Sequence, residues 1–477
     1  MAVISLERFE NKYIIEGKIR METPLRIGKQ VALYSLSSAP VLLQYDAGLD
    51  TYLPFIPGSS LKGVLRSTCE RIVKTYGADI EWIDSIFGSQ SMGSKVRVRD
   101  ATCDYNQINE RIHCATAFDA VPRIKQRDKC RDFCNTRNNC VVFDLSREFY
   151  KPVIGRRGQN PVPKTNLINE ENIPPTTSFQ LKIEVDNAEK RDIGLILLGL
   201  DEFNHRRAHI GGGVSRGYGF VTIEDTAVSC LPKLDFSLDF GMSRCEPAEI
   251  KKEAEDTLRR SNVTIQKNEN DFSTYYISEE PGGGCIVCEF EVECLTEFRM
   301  KGVDEETVTV DGVPVIPGST IKGALRHLCY YNPEIKGRGR KSWIEGCAEP
   351  VIKWGREQVD KIFGSQGKRS RILVSDVFFD EERGNYENFI GYNSRGSVNE
   401  IKKDARLKGW IVFDNMEKTE IEAIHNVLKR GLQITGKTSA KRNPKGKPER
   451  NRVKFNLKRA WKFTLDDFSK DVTEWFV

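Results

Sequence analysis

The sequence predicts two tandem domains, each built from layers of strands and helices in the α+β or α/β class. Two observations predict this: one fourteen-residue motif occurs twice, and strand and helix patterns alternate over about 200 residues around each copy. The copies lie about 260 residues apart, which is too far for a solenoid repeat. The repeat therefore marks two whole domains rather than an array of small units.

The repeated motif predicts a strand, a tight turn and a helix. It reads "IPGSSLKGVLRSTC" from Ile56 and "IPGSTIKGALRHLC" from Ile316, with nine of the fourteen positions identical. Pro-Gly is a turn signal, and a hydroxyl on Ser59 or Ser60 suits the helix N-cap. Apolar residues at helical spacing then give one buried face. Both copies are expected to form the same local structure.

Each predicted helix start is a candidate anion site. A helix N-terminus offers unpaired N–H groups, and nearby hydroxyls and cations add to its attraction for phosphate. The motif supplies these groups in both copies: Ser59, Ser60, Lys62 and Arg66, and then Ser319, Thr320, Lys322 and Arg326. A capped helix with a solvated basic face is the alternative. Retention of the cations in both copies favours phosphate binding.

A glycine-rich loop follows in the first copy. "IGGGVSRGYG" begins at Ile210, and the basic "ITGKTSAKRN" from Ile434 takes its place in the second copy. Glycines permit close backbone approach to a ligand, while a cation and an aromatic ring suit single-stranded RNA. A bare glycine turn is the alternative. The loop matches neither nucleotide-binding fingerprint, so no small-molecule cofactor is expected. The candidate RNA-binding residues are Gly211, Gly212, Gly213, Arg216 and Tyr218.

The motifs occur in one order in both copies. "IFGSQ" recurs at Ile86 and Ile362 and precedes an alternating strand pattern each time, and a strand pattern opens each copy. The segments "EKRDIGLILLGLDEF" and "KTEIEAIHNVLKRG" read as helices, and "CEPAEIKKEAEDTLRRSN" reads as an exposed charged helix between the copies. We predict a first domain over 1–228, a linker over 229–272 and a second domain over 273–477.

Composition points to a reduced intracellular protein with nucleic-acid contacts. The net charge is only +5, but basic residues cluster in segments such as Lys437–Arg452, which suits a nucleic-acid backbone; a solvated loop is the alternative there. The thirteen cysteines are too few for a disulfide scaffold in 477 residues. The N-terminus does not resemble a signal peptide and no apolar run could span a bilayer. We expect a cytoplasmic location and no membrane.

A polar insertion in the first copy is a candidate zinc site. Its closely spaced thiols suit tetrahedral structural zinc, and bound metal would stabilise a segment with few apolar residues. His113 could replace the first ligand, and unligated thiols are the alternative. In contrast, "CIVCEFEVEC" from Cys285 lies in a strand pattern and reads as core thiols. The candidate ligands are Cys114, Cys130, Cys134 and Cys140.

The IPGS-x-x-KG motif, "FGSQ" and the glycine loop together resemble the RAMP superfamily of CRISPR proteins. They most resemble backbone subunits of type III effector complexes, twice in one chain; the second copy departs at its basic loop. The resemblance implies two ferredoxin-like (RRM-like) domains with loop insertions. It also implies that they bind a guide RNA and its complementary target RNA beside other effector subunits, and that each has a protruding thumb, for which residues 155–172 are a candidate in the first domain.

The resemblance also implies a metal-dependent endoribonuclease that cuts target RNA. An aspartate after Gly-Val in the loop before the motif would assist attack by the 2′-hydroxyl of the RNA, with a divalent ion such as Mg²⁺. Asp304 matches this position in the second copy, whereas the first has Ser38, with Asp46 and Asp50 as rival carboxylates. One cut next to the second domain is therefore expected. A solvated acidic turn is the alternative for Asp304.

Two other functions stay open. The chain could be an RNA-binding scaffold without cleavage, or it could process precursor guide RNA with a histidine as general base. The histidines available for that role are His205, His209 and His327.

Overall fold

The structure is a computed structural model. It describes residues 10–28, 41–46, 51–103, 151–154, 167–170, 173, 175, 177–232, 242–261, 272–275, 284–297, 309–310, 313–329, 354–365, 368–379, 386–392, 398–434 and 452–476. We call the described residues up to 261 the N-terminal half and those from 272 the C-terminal half.

The N-terminal half mixes antiparallel strands and helices. Its elements, in chain order, are β1 (Asn11–Met21), β2 (Leu43–Asp46), β3 (Thr51–Ile56), α1 (Gly58–Thr75), α2 (Glu81–Phe87), β4 (Val96–Val98), β5 (Ala101–Thr102), β6 (Lys151–Ile154), β7 (Leu167–Glu170), β8 (Ser178–Asp186), α3 (Lys190–Asn204), a 3₁₀ turn (Val214–Arg216), β9 (Val221–Pro232), β10 (Ser243–Cys245) and α4 (Pro247–Arg259).

The C-terminal half repeats the same main elements. In chain order they are β11 (Cys285–Cys294), β12 (Thr309–Val310), β13 (Val313–Pro314), α5 (Gly318–Cys329), α6 (Arg356–Phe363), β14 (Ile372–Val374), β15 (Phe378–Phe379), a 3₁₀ turn (Tyr386–Phe389), β16 (Ile390–Tyr392), β17 (Val398–Ile401), β18 (Arg406–Asp414), α7 (Lys418–Arg430), β19 (Leu432–Gln433), β20 (Arg452–Lys462), β21 (Lys470–Asp471) and a 3₁₀ turn (Thr473–Phe476).

Each half contains one main antiparallel sheet. The strand order is β10-β9-β1-β8-β4 in the N-terminal half and β14-β18-β11-β20-β19 in the C-terminal half. The strands β9-β1-β8-β4 follow the same order as β20-β11-β18-β14, whereas the remaining strands of the two orders, β10 and β19, are not equivalent in the chain. Along the chain, β1-α1-β4-β8-α3-β9 matches β11-α5-β14-β18-α7-β20. This is the β-α-β-β-α-β arrangement of ferredoxin-like folds. The architecture is α+β, as the sequence predicts.

The helices of the repeated motif form as predicted. In α1, Leu61, Leu65, Cys69 and Ile72 are all at most 5% exposed and lie in one core cluster. Because these positions recur at helical spacing, they share one face of the helix, which packs on the sheet. The corresponding face of α5 packs in the core of the C-terminal half.

The C-terminal sheet is covered on both faces. Along β11, Ile286 and Cys288 pack in the core of the C-terminal half, whereas Cys285 and Val287 join the core of the N-terminal half. Two-sided burial explains the continuous apolar run over residues 285–288 at the start of this strand, which is typical of strands buried on both faces; beyond it, Glu289, Glu291 and Glu293 alternate with apolar residues. The thiols of Cys285, Cys288 and Cys294 are buried and free, as expected for core cysteines.

The segment between the copies packs on the N-terminal half. β10 pairs with β9. We predicted the first domain to end at residue 228, but β9 continues past this residue and β10 lies wholly beyond it. The prediction of an exposed helix is wrong for one face of α4, because Ile250, Ala254 and Leu258 are buried. Gly194 on α3 permits this packing, since a Cβ there would lie 2.3 Å from the Ile250 carbonyl oxygen. The spacing of i, i+4 and i+8 is the apolar stripe that a packed helix needs.

Within the described ranges, no helix is both long enough and apolar enough to cross a membrane.

Candidate nucleic-acid interface

The two elements predicted to bind RNA meet between the halves of the chain. The Lys322 Nζ on α5 donates to the Ser215 main-chain oxygen in the glycine loop at 2.7 Å, and to the Ser370 Oγ at 2.6 Å. Gly217 in that loop lies against β14, and a Cβ there would be 2.0 Å from the Val374 oxygen. Only glycine allows so close an approach, and its φ of +86° also favours glycine.

The exposed part of this junction combines backbone and hydroxyl groups. Gly211 and Gly212 are exposed, and Gly213, Ser319 and Thr320 are half-buried. Two further cations, Lys368 and Arg369, are exposed directly before Ser370 in the chain. The residues that flank the Lys322–Ser215 contact in the chain therefore include glycine backbone, hydroxyls and cations, which are groups that can bind an RNA backbone.

Main-chain hydrogen bonds hold the glycine loop in place. The Gly212 N–H donates to the Arg26 oxygen at 2.8 Å, and the Ile210 N–H donates to the Gly219 oxygen at 3.0 Å. The two ends of the loop are thus bonded to each other, and Gly212 is bonded to the segment that follows β1. Gly212 has room for a side chain, because its nearest neighbour would be 3.8 Å from a Cβ.

Tyr218 does not offer a stacking face in this structure. It is 1% exposed. Its ring lies against Gly213, where a Cβ would be 2.6 Å from the ring. We predicted a base-stacking role for Tyr218. That prediction overlooked the position of this residue between Gly217 and Gly219, and the ring is in fact directed into the protein. The side chain of Arg216 lies outside the described residues.

An aspartate occupies each helix start that we predicted as an anion site. The Gly58 N–H donates to the Asp100 Oδ1 at 2.7 Å, and the Gly318 N–H donates to the Asp376 Oδ1 at 2.7 Å. The predicted N-cap at Ser59 or Ser60 is wrong, since α1 begins at Gly58 without a side-chain cap. The carboxylates satisfy the first N–H and complement the helix dipole. Sequence reasoning missed them, although "RDA" and "SDV" recur at the same repeat offset.

The repeated arginines tie each motif helix to the following "FGSQ" turn. Arg66 donates to the Asp84 Oδ1 at 2.5 Å and to the Gly88 oxygen. Arg326 donates likewise to the Gly364 oxygen at 2.6 Å and to Asp360. Hydrogen bonds to Glu70 and Asp84 raise the pKa of Arg66 despite partial burial. The repeated arginines thus have an intramolecular role. Their contact with phosphate stays a prediction.

The repeated lysines bond to the strand that follows. Lys62 Nζ donates to the Ser94 Oγ at 2.6 Å and to the Val96 oxygen at 3.1 Å. Burial, and secondarily the Arg66 charge, lower the pKa of Lys62. Lys322 is only 8% exposed, so its ammonium could reach a phosphate only if the glycine loop moved away. Binding of RNA by either lysine stays a prediction.

A buried polar network joins the halves beside this junction. The Arg71 Nη2 on α1 lies 2.5 Å from the Asp414 Oδ1 on β18. The guanidinium also lies 3.8 Å from the centroid of the Tyr275 ring. Tyr275 donates to Glu202, which also pairs with Arg207. The Arg71 charge opposes the burial of Asp414 and keeps the pKa of Asp414 below its usual value. Because both sides of these pairs are buried, the halves are held in one fixed arrangement.

Two of the three candidate general-base histidines are half-buried. Burial lowers the pKa of His209 to about 3, and its ring packs edge-on against Phe220 at 4.4 Å. Burial also lowers the pKa of His205 to about 4. His327 is exposed on α5. Of the three, His327 is exposed, and the side chain of His205 keeps 27% of its surface exposed.

Several predicted residues lie outside the described residues. They are the predicted catalytic Asp304, the predicted zinc ligands Cys114, Cys130, Cys134 and Cys140, and residues 437–451 of the basic segment Lys437–Arg452.

Comparisons with known proteins bear on the whole chain. Among curated proteins, none matches it. A family model described as the RAMP superfamily matches residues 18–222 and again residues 291–465. Each matched region contains one motif helix and one "FGSQ" turn, and each overlaps the main sheet of its half. These matches cover well over half of the chain and occur twice, so the protein is a tandem member of the RAMP superfamily.

Proposed function

We propose that the chain is a guide-RNA-binding backbone subunit of a type III CRISPR ribonucleoprotein. RAMP membership indicates a CRISPR-associated RNA-binding protein. The observation that carries the proposal is the 2.7 Å contact between Lys322 and the Ser215 oxygen, because it unites the two predicted RNA elements. Both matched regions therefore contribute to one surface.

The RNA backbone would follow the exposed edge of this junction. Gly211 and Gly212 present backbone with no bulky side chain, and Ser319 and Thr320 present hydroxyls at the start of α5. Lys368 and Arg369, which directly precede the Lys322 partner Ser370 in the chain, would supply positive charge, and Arg369 also pairs with Asp414 at 3.3 Å. Contacts of this kind grip phosphate and sugar without reading sequence, as a subunit that accepts any guide requires.

The main sheet face of the N-terminal half is less suited to RNA. Its exposed charges are paired: Lys12 with Glu184 at 2.7 Å, Lys182 with Glu16 at 2.8 Å, and Lys18 with Asp225 at 3.2 Å. Interspersed carboxylates cancel much of the attraction for phosphate. We therefore assign RNA to the junction and not to this face.

Substitution of Gly212 by glutamate tests the RNA site. Gly212 has room for a side chain, so Gly212→Glu adds a negative charge beside the proposed phosphate path without strain. The matched control is Gly355→Glu, since Gly355 is exposed and has open space around a Cβ. We expect Gly212→Glu to weaken binding of a single-stranded RNA by at least about tenfold in fluorescence anisotropy at fixed salt. Equal affinities of the two variants would contradict the assignment.

The proposal extends to one cut in the target RNA, beside Asp304. A carboxylate in this loop would bind a divalent ion or orient the attacking 2′-hydroxyl. The first copy has Ser38 at the matching position, which cannot supply that charge. A structural zinc bound by Cys114, Cys130, Cys134 and Cys140 is part of the same proposal, and metal analysis of purified protein tests it.

The scaffold and precursor-processing functions remain the competing proposals. His327 is the exposed histidine of the three, so it is the first candidate general base for the processing function. Incubation of the lone protein with precursor RNA would separate this function from target cleavage.

A further inference from the structure

Within the part of the chain that the structure describes, the two copies of the repeated motif differ in what covers them. We call Lys322, Ser370, Val374 and Ser375 the C-terminal clamp and the equivalent Lys62, Ser94, Val98 and Arg99 the N-terminal clamp. Every residue of the C-terminal clamp is buried, and the glycine loop lies on it. In the N-terminal clamp, Ser94 and Arg99 are exposed and Lys62 and Val98 are half-buried.

The uncovered clamp has the same geometry as the covered one. Lys62 Nζ lies 2.6 Å from the Ser94 Oγ, and Lys322 Nζ lies 2.6 Å from the Ser370 Oγ. A Cβ on Gly58 would be 2.1 Å from the Val98 oxygen, and a Cβ on Gly318 would be 2.1 Å from the Val374 oxygen. The N-terminal clamp is therefore already shaped for a loop, which lowers the cost of binding one.

An exposed apolar side chain stands beside the N-terminal clamp. Met92 is 50% exposed, in the turn that leads to Ser94. The equivalent position in the C-terminal half is Lys368. An exposed methionine next to a preformed polar site is typical of a surface that binds another protein.

The sheet next to each clamp indicates what kind of partner would bind. In the C-terminal half, Val287 pairs with Val412 and Trp461, and all three are buried in the core of the N-terminal half. At the equivalent register of the N-terminal half, Ile14 pairs with Glu184 and Ser229. An apolar face suits a permanent contact within one chain, whereas a charged face suits contact with a separate, exchangeable chain.

We propose that the N-terminal clamp binds the glycine loop of a RAMP domain in a separate chain. The loop would bond a main-chain carbonyl to Lys62 and place a glycine against the Val98 oxygen, as Ser215 and Gly217 do within this chain. The proposal rests on the proposed role as an assembly subunit. It names both the surface and the partner segment for the contact between chains.

A cyclic peptide of residues 209–220 tests this without RNA. Cyclisation preserves the loop, since the Ile210 N–H donates to the Gly219 oxygen at 3.0 Å. We expect saturable binding of the fluorescein-labelled peptide to the full chain in anisotropy. Lys62→Met should weaken it by about tenfold, the loss of one hydrogen bond from a charged group. Lys418→Met, an exposed lysine on α7, is the control and should leave it unchanged.

A second peptide keeps the test independent of the folding of the variants. The peptide with Gly217→Ala should not bind, because its Cβ would meet the Val98 oxygen as it would meet the Val374 oxygen at 2.0 Å here. Absence of saturable binding, equal affinity of the two peptides, or equal affinity of the Lys62→Met and Lys418→Met chains would overturn the proposal. Because no RNA is present, each of these results leaves the RNA-binding proposal to its own test.

Discussion

Lys322 Nζ lies 2.7 Å from the main-chain oxygen of Ser215 and so links the motif helix of one RAMP region to the glycine loop of the other. A charged amine that bonds a backbone carbonyl does not depend on the identity of the loop side chain. The contact instead requires the loop backbone to come close, and Gly217 permits this. Under the proposed function, this contact would fix the spacing of the two regions along a bound RNA.

Arg71→Met should strongly destabilise the protein. It leaves Asp414 buried between the halves without its closest cation, and breaking a buried pair costs about 3–5 kcal/mol. The measurement is unfolding in urea, monitored by tryptophan fluorescence, to which Trp410 and Trp461 at this interface contribute. The control is Lys418→Met, whose ion pair with Glu422 on the same helix is exposed and contributes at most about 1 kcal/mol. Equal midpoints for the two variants would show that the network does not hold the halves together.

Arg326→Met should lower stability and leave the salt dependence of RNA binding unchanged. Arg326 bonds to the Gly364 oxygen and to Asp360, and its loss should cost about 1–3 kcal/mol of unfolding free energy. Arg356→Met is the matched control, because Arg356 is exposed and reaches the same Asp360 only at 3.8 Å. If Arg326 also neutralised a phosphate, its variant would reduce the slope of log affinity against log salt by about 1. That result would restore the phosphate role predicted from the sequence.

Asp304→Ala should remove one cut in a target RNA and leave RNA binding intact. The reason is that the predicted carboxylate acts on the metal or on the 2′-hydroxyl and not on the affinity of the RNA. A cleavage map of the assembled complex in Mg²⁺ is the measurement, with Glu305→Ala as the neighbouring control. An unchanged map for Asp304→Ala would favour the scaffold function instead.

Stability should fall as pH falls from about 6.5, and His209 should contribute to this fall. Burial lowers the folded-state pKa of His209 to about 3, while an unfolded histidine titrates near 6.5. Below pH 6.5 the unfolded state therefore binds a proton at His209 that the folded state does not bind. The stability that the neutral histidine permits is present at neutral pH and is lost progressively as the pH falls towards 3. His209→Phe should flatten the slope by up to about 1.4 kcal/mol per pH unit in urea unfolding. An unchanged slope would mean that His209 is not enclosed in solution.

The repeat made much of this fold predictable. Helical spacing of Leu61, Leu65 and Cys69 gave α1, and the matching motif gave α5. Local patterns could not show that Asp100 caps a helix 42 residues earlier in the chain, because that depends on how β4 and β5 return to α1. They also could not show that Trp410 and Trp461 face the other half, since a strand buried on both faces carries no alternation. Local patterns also could not show that Gly217 contacts protein, so the sequence predicted only an RNA-binding role for the glycine loop.

The most direct test of the central claim is ultraviolet cross-linking of the full chain to single-stranded RNA, with the cross-linked peptides identified by mass spectrometry. The account predicts cross-links in the peptides that contain residues 211–213 and 319–320, on both sides of the Lys322–Ser215 contact. Cross-links confined to the charged sheet face around Lys12, Lys18 and Lys182, with none at the junction, would contradict it.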